Sequence, residues 1–506
     1  MSRRRVNIAL GAIVALGVVL RVLAWRYEPP HHPDEFFQYL EPAWGRLTGV
    51  GIETWEWRNG IRSWVLPGYH GAWMAILMRL GVHDGSTIAK LLQAHWALLS
   101  MSLVWAGWRG GLLLARQLGP NRDAAVNSGD ESGDEPAPAG WQGGLVGALL
   151  CAAFPLQVRF SIHTLSEQAS ILCMVCALVL TADLASTAGR VGRGKAVFMG
   201  VLLGLGICLR IQHVPVPLVA VLWLLLSRRF ALAAVACAAS LLPMLAFGLV
   251  DRLTWGGFFA SFIHYVKFNL VEGGASIFGT MPWTWYWQQF LHRLPTGLPI
   301  LGFLCLVGIR ATWPFVASAL GLTILLSTQA HKEERFVMLF WPLVLIAAAA
   351  VAGAWLGLRV TAVGKEGAQL GHRRLRTWLV RCVILAGLAV VLVDGARHGR
   401  DNDFPELFPA RFEAQVWVGR QADVTGLLYD SPLYTGGYMW FSRNFPQLKI
   451  RSTLLGNPLF SHVLVPRKSE WKRVAERAGF AEVFSKDEMI VLRRTAEPVS
   501  ESALRQ

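Results

Sequence analysis

Residues 6–25 form a nearly unbroken apolar run, about as long as the roughly 20 residues a helix needs to cross a bilayer. Ten further apolar runs follow it along the chain. Inside lipid a segment must satisfy its own backbone polar groups, so each run reads as helix. Hydrophobic residues make up 54% of the chain and charged residues 16%, against about 25% charged in soluble proteins. The predicted class is therefore an all-α, multi-span membrane protein. Its 22 Trp and 25 Phe gather where runs end, as interfacial belts do. The formal charge of +15 falls mostly between runs, which speaks for a lipid bilayer as partner and against nucleic acid. All seven Cys lie in or beside apolar runs and read as small buried hydrophobes. Cys173 and Cys176 lack two further ligands at metal-binding spacing, and no metal is expected.

Positive charge is retained on the cytoplasmic side, which orders the runs into a topology. Arg3, Arg4 and Arg5 hold the N-terminus inside, and no cleavable signal peptide follows them. Arg21 can snorkel to the far surface. Residues 26–86 form a first outer loop in which 66–82 is a helix lying in the interface. The chain then crosses at 87–108, 141–158, 165–187, 196–209, 214–227, 230–250, 296–309, 311–328, 337–358 and 377–394, eleven spans in all. The acidic, Gly- and Ser-rich stretch 119–140 reads as a disordered internal loop. Arg190, Arg193, Lys195, Arg228, Arg229 and the basic stretch 359–376 mark other inner turns. Residues 1–394 are thus a membrane module. Residues 395–506 are predicted to be a small α/β domain outside the membrane, with strands in DVTGLLYDS, LKIRSTLL, SHVLVP and EMIVLRR and a helix in KSEWKRVAERAGF.

This topology brings the clusters rich in His, Asp and Glu to the outer face: HHPDE, TWEWRNGIR, RFSIHTLSE, LRIQH and HKEERF. In HHPDEFFQYLEP, Pro33 opens a helix and Asp34, Gln38 and Glu41 share one face. Pro42 is expected to end or bend it. Asp34 and Glu35 form the candidate catalytic acidic pair; neighbours on a helix point apart, and Asp34 is preferred as the base. The first turn of a helix favours its ionised form. A helix-terminal acid without chemistry accounts for Asp34 alone about as well. In HKEERF, charges buried at mid-bilayer would cost about 2.5–3.5 kcal/mol each, so the segment must sit at an interface or in a wet cavity. His331, Lys332 and Arg335 can clamp a phosphate there, although interfacial anchoring also explains them. Arg210 and His213 of LRIQH are weaker candidates for the same phosphate. Trp55, Glu56, Arg58 and Arg62, with Gln38 and His163, suit sugar binding, or for the aromatics a simple belt. His163 and Glu167 stand one helical turn apart. A carboxylate facing a cationic clamp suggests glycosyl transfer from a lipid phosphate. A lipid-linked glycan transporter is a second reading, though no internal repeat is evident. An oligosaccharide ligase or polymerase is a third, separated from the first by its donor.

HHPDEFFQYLEPAWGRL, TWEWRNGIRS and HKEERF resemble motifs of the glycosyltransferase family 22 mannosyltransferases, multi-span GT-C enzymes that use dolichyl-phosphate-mannose. The likeness is strongest, through TWEWRNGIRS, to the branch that builds glycosylphosphatidylinositol anchors. LRIQH and DRLTWG are similar to family segments as well, and the resemblance covers roughly residues 1–345. It implies an inverting transfer of mannose to an α-mannoside of a glycan or glycolipid, without metal or other cofactor. It also implies Asp34 as base and His331, Lys332 and Arg335 near the donor phosphate. The basic inner loops and compact length leave open a bacterial relative, whose carrier would be a shorter polyprenyl phosphate and whose outer side is periplasm.

Overall fold

Pairing of long apolar helices through small residues forms the centre of the bundle. In the computed structural model, Gly107 and Gly111 of the helix Met101–Leu118 face Gly147 and Gly143 of Trp141–Ala153. A Cβ on Gly111 would lie 2.2 Å from the Gly143 carbonyl oxygen, so only glycine permits this approach. The helix Phe340–Leu356, buried along nearly its whole length, packs against both. The structure describes residues 2–28, 32–118, 135–186, 192–357, 367–399, 407–431 and 435–495, without side chains at 367–374 and 407–409. His31, Arg190, residues 119–134 of the acidic stretch and 358–366 of the basic stretch lie outside the described residues.

Seven helices among the described residues are long and apolar enough to cross a membrane. They are Arg3–Tyr27, Gly85–Leu118, Ser166–Ser186, Phe230–Trp255, Ile309–Ser327, Glu334–Leu356 and Leu375–His398. The pair Trp285–Arg293 and Gly297–Val307, bent by 107°, makes an eighth if counted as one span. All eleven runs fall on helix, yet several are too short or too broken to be counted as spans. The run 141–158 is interrupted at Phe154, where Pro155 opens a new helix, Pro155–Phe160.

That break explains Arg21, which does not snorkel and is 2% exposed. Its guanidinium donates to the carbonyls of Cys151 (3.2 Å) and Ala152 (3.1 Å) and to Ser100 Oγ (2.6 Å). The last carbonyls of the interrupted helix have no N–H partners of their own, and the arginine supplies donors. Cys151, Cys173 and Cys305 are buried as expected, whereas Cys237 and Cys382 lie on exposed faces of apolar helices.

The C-terminal region carries a five-stranded sheet: β1 Leu427–Tyr429, β2 Gln447–Lys449, β3 His462–Pro466, β4 Phe480–Lys486 and β5 Met489–Arg494. The order is β2-β1-β3-β5-β4, parallel among the first three and antiparallel beyond. Period-2 alternation splits its core. Leu427, Tyr429, Leu464 and Val491 pack on the helix Leu407–Arg420, and Leu428, Val463, Ile490 and Leu492 cluster with Ala475 of Glu470–Arg477. Strand β4, not foreseen, lies at the sheet edge with Ala481, Glu482, Ser485 and Lys486 exposed and a bulge between Glu482 and Phe484.

This region is docked onto the segment after the first long helix through a buried carboxylate. Glu41, fully buried, accepts from the backbone N–H groups of Tyr438 (2.8 Å), Ile52 (3.0 Å) and Met439 (3.1 Å). Phe36 stacks on Trp440 with centroids 4.7 Å apart. Gly437, at φ 98°, leaves room for the Phe36 ring, which a Cβ would meet at 2.2 Å. Replacing Glu41 by Leu strands three buried donors, and the expected loss is about 3 kcal/mol. Thermal unfolding of the detergent-purified Glu41→Leu protein, with earlier proteolysis between 400 and 440, measures it.

Candidate active site

Helix begins at Pro33, as expected, but does not stay regular. Residues Glu35–Leu40 form a π-helix in which the Glu41 N–H bonds to the Phe36 carbonyl. The α-helix Glu41–Thr48 then follows, with Pro42 in its first turn. Proline neither ends nor bends the segment, because near the start of an α-helix its missing N–H costs nothing and the π turn absorbs the mismatch. The wider turn also separates the expected face. Asp34 and Gln38 point into a cavity, while Glu41 turns to the C-terminal region.

The cavity has a volume of about 1130 Å³. Asp34, Gln38, Trp55, Glu56, Arg58, Arg62, His163, Arg210, His331, Lys332 and Arg335 all line it. Two predicted site residues do not. Glu35 is 1% exposed and lies 2.9 Å from His163 Nδ1, accepting also from the Thr164 N–H at 3.1 Å. It holds the π-helix against the 160–164 turn and is turned away from substrate space, as the divergence of neighbouring helical side chains requires. His213, 1% exposed, faces inward to Ser170 Oγ at 2.7 Å, so it is no phosphate ligand here.

Arg335 is the hub. Its Nη2 donates to Asp34 Oδ2 at 2.6 Å, its Nε to Glu333 Oε2 at 2.6 Å, and its Nη1 lies 3.5 Å from Glu167 Oε1. Arg210 Nη2 donates to the same Glu167 oxygen at 2.6 Å. Phe336 is flanked by both guanidinium groups, at 4.9 Å from Arg210 and 5.1 Å from Arg335. His32 Nδ1 accepts the Asp34 N–H at 2.9 Å, and its Nε2 faces Glu333 Oε2 at 3.3 Å. His331 Nε2 lies 2.9 Å from Glu333 Oε1. Burial works toward protonation of Asp34, but Arg335 and then His32 hold its carboxyl far below the usual carboxylate range. Glu333 is held down in the same way by Arg335, His32 and His331 against its burial. Lys332 differs: its ammonium donates to the backbone carbonyls of Met281 (3.0 Å) and Gln329, and among the described residues to no carboxylate.

On the opposite wall, Arg62 donates to Glu56 at 2.5 Å and Gln38 to Glu56 at 3.3 Å. Arg58 donates to the Glu53 carbonyl at 2.9 Å. Trp55 is 38% exposed toward the cavity, whereas Trp57 is 2% exposed and donates to the Phe37 carbonyl at 3.2 Å. Trp57 is therefore packing, not a sugar platform. This wall is held by DRLTW: Asp251 accepts from Ser63 Oγ (3.0 Å) and the Ser261 N–H (2.9 Å), and Trp255 Nε1 donates to the Arg62 carbonyl (3.0 Å). Sequence reasoning missed the roles of His32, Glu333 and Asp251. For Asp251 a signal existed, since an acid closing an apolar helix must find partners.

The profile of the Alg9-like mannosyltransferase family matches residues 12–401. GPI mannosyltransferase 3 of Yarrowia lipolytica is 28% identical over 370 residues, which cover 71% of this chain and 62% of that protein. GPI alpha-1,2-mannosyltransferase 3 of Danio rerio is 24% identical over 332 residues, 62% of this chain and 54% of the relative. The chain thus matches little more than half the length of such relatives. ArnT from Cupriavidus metallidurans, solved bound to undecaprenyl phosphate, superposes with a TM-score of 0.58 at 11% identity, over 96% of this chain and 98% of ArnT. That likeness is one of fold, of the GT-C type. Matched over most of its length by the family profile, this chain belongs to the Alg9-like mannosyltransferases and is a multi-pass integral membrane protein.

Proposed function

We propose that the chain transfers a mannosyl residue from a polyprenyl-phosphate sugar to a hydroxyl of a glycan or glycolipid, with inversion at the anomeric carbon. One observation carries the reading: Asp34 and Arg335, 301 residues apart, meet at 2.6 Å on the wall of one large cavity together with Lys332. Membership of a mannosyltransferase family and the polyprenyl phosphate held by ArnT, of the same fold, support it. The acceptor oxygen attacks the anomeric carbon as the bond to the phosphate oxygen breaks, and the hydroxyl proton passes to Asp34. Lys332, held by backbone carbonyls, and the guanidinium groups of Arg335 and Arg210 stabilise the departing phosphate as its charge grows. His331 orients Glu333. Trp55, Glu56, Arg58, Arg62, Gln38 and His163 offer the aromatic face and hydrogen bonds that a sugar needs. The basic N-terminus, by retention of positive charge inside, supports an extracytoplasmic position for this face and for residues 395–506.

Asp34→Asn is expected to fold and bind donor but lose turnover by roughly 10²–10⁴-fold, whereas Lys332→Ala weakens donor binding. Turnover of Asp34→Asn at the wild-type rate, or an unchanged donor titration for Lys332→Ala, overturns the respective role. A carboxyl held below the ordinary value of about 3.9 contributes its ion-pair stability above that pH and loses it only as pH falls through the depressed value. The infrared carboxylic-acid band that Asp34→Asn removes is therefore expected only well below pH 4 in the ligand-free protein. A Lys468→Cys variant reports orientation: reaction with an impermeant maleimide from the cytoplasmic side alone refutes it.

A further inference from the structure

A cation meant to bind phosphate is, in this structure, occupied. Arg335 spends Nε and Nη2 on Asp34 and Glu333, while Nη1 lies 3.5 Å from Glu167, so a phosphate that reaches Nε or Nη2 takes the place of a carboxylate. The three are not equally held. Glu167, with its side chain 1% exposed, is also bound by Arg210 and by Ser166 Oγ. Glu333 has His32 and His331 besides the arginine. Asp34 has the most exposed side chain of the three, at 25%; among the described residues its other ion-pair neighbour is His32, at 3.5 Å, with Arg62 acting from farther off. It is the weakest-held partner, and with Glu333 it lines the cavity.

We propose that the donor's phosphate takes the Arg335 Nη2 N–H from Asp34, so that the base is unmasked only when the donor is in place. The inference rests on the proposed transfer reaction and adds an order to it, donor before acceptor. In the empty site, the Asp34 carboxylate is neutralised and hydrogen-bonded, and an acceptor hydroxyl finds no competent base. With phosphate on Nη2, Asp34 Oδ2 is free to accept the hydroxyl's hydrogen bond, and its basicity returns toward that of an ordinary carboxylate. Glu333 acts as a positioning residue, because its grip on Nε keeps the guanidinium in plane while Nη2 changes partner.

The exchange makes Asp34 and phosphate competitors for one N–H, which a double-mutant cycle resolves. Undecaprenyl phosphate, the probe, is titrated into the purified full-length protein as wild type, Asp34→Asn, Arg335→Ala and the double variant. Asp34→Asn is expected to tighten binding by roughly tenfold, an ordinary coupling between linked sites, and the gain is expected to vanish in the Arg335→Ala background. Unchanged or weaker binding to Asp34→Asn overturns the exchange. So does a gain that survives without Arg335, which would be charge repulsion alone. If Arg335→Ala does not fold, the wild-type protein gives the answer. Adding undecaprenyl phosphate is expected to raise the pH at which the Asp34 carboxylic-acid infrared band appears, and no movement overturns the proposal. Loss of the base role shows instead as undiminished turnover in Asp34→Asn, so the two ideas fail separately.

Discussion

Charge buried near lipid persists only when it is paired, and Arg335 is where this protein meets that constraint most completely. Removing one member of a buried ion pair typically costs about 3–5 kcal/mol, so a guanidinium shared by Asp34, Glu333 and Glu167 ties three distant parts of the chain together. Asp34 comes from the helical segment before Glu41–Thr48, Glu167 from the start of Ser166–Ser186, and Glu333 from the turn before Phe340–Leu356. Arg293 and Glu334 repeat the device beside it, and Asp183 with Arg109 and Lys195, both at 2.6 Å, repeats it elsewhere in the bundle. The same pairing that lets the helices assemble therefore also places the carboxylate in the cavity.

The site is also supported from outside the bundle. The helix carrying Asp34 is held through Glu35 to the 160–164 turn and through Glu41 to the C-terminal region. Two carboxylates six residues apart thus act as struts on either side of the π turn, and neither reaches the cavity. Geometry of this kind matters because a base displaced by about 1 Å can lose a hundredfold in rate. The sheet region, which brings none of its described residues to the cavity wall, contributes by fixing Phe36 and Glu41.

Much of this was legible, and the failures have physical causes. The polar clusters at run ends gather in one cavity because unpaired charge is costly in apolar surroundings, and composition alone carries that message. Four strands and the helix around Glu470–Arg477 follow from alternation and amphipathic spacing, while β4 hides because an edge strand with Glu482, Ser485 and Lys486 exposed has no apolar stripe. Roles within a cluster were harder. Asp34, Gln38 and Glu41 share one face of a regular helix, and only the π turn, which has no residue signature, sends Glu41 away from the cavity. Arg21 resembles an anchor because its partners are carbonyls, exposed by a helix break 130 residues later. Span number was the least readable quantity, since helices such as Trp141–Ala153 are apolar yet short of a full crossing.

Division of labour between Lys332 and Arg335 bears on how the reaction ends as well as how it starts. A sugar phosphodiester carries one negative charge, whereas the lipid phosphate left behind carries about 1.5 to 2. A pocket of free cations would hold that product more tightly than the donor and slow the cycle. Here Lys332, three residues before Arg335, is held by backbone carbonyls, and Arg335 is lent out by carboxylates that remain beside it. Once the acceptor's proton leaves Asp34, the recovered carboxylate competes again for Nη2 and works against product retention. The near-neutral pairing of the empty site is thus not a weakness in a phosphate-binding pocket. In the proposed transfer it lets one guanidinium favour donor arrival, support the departing charge, and still release the lipid phosphate.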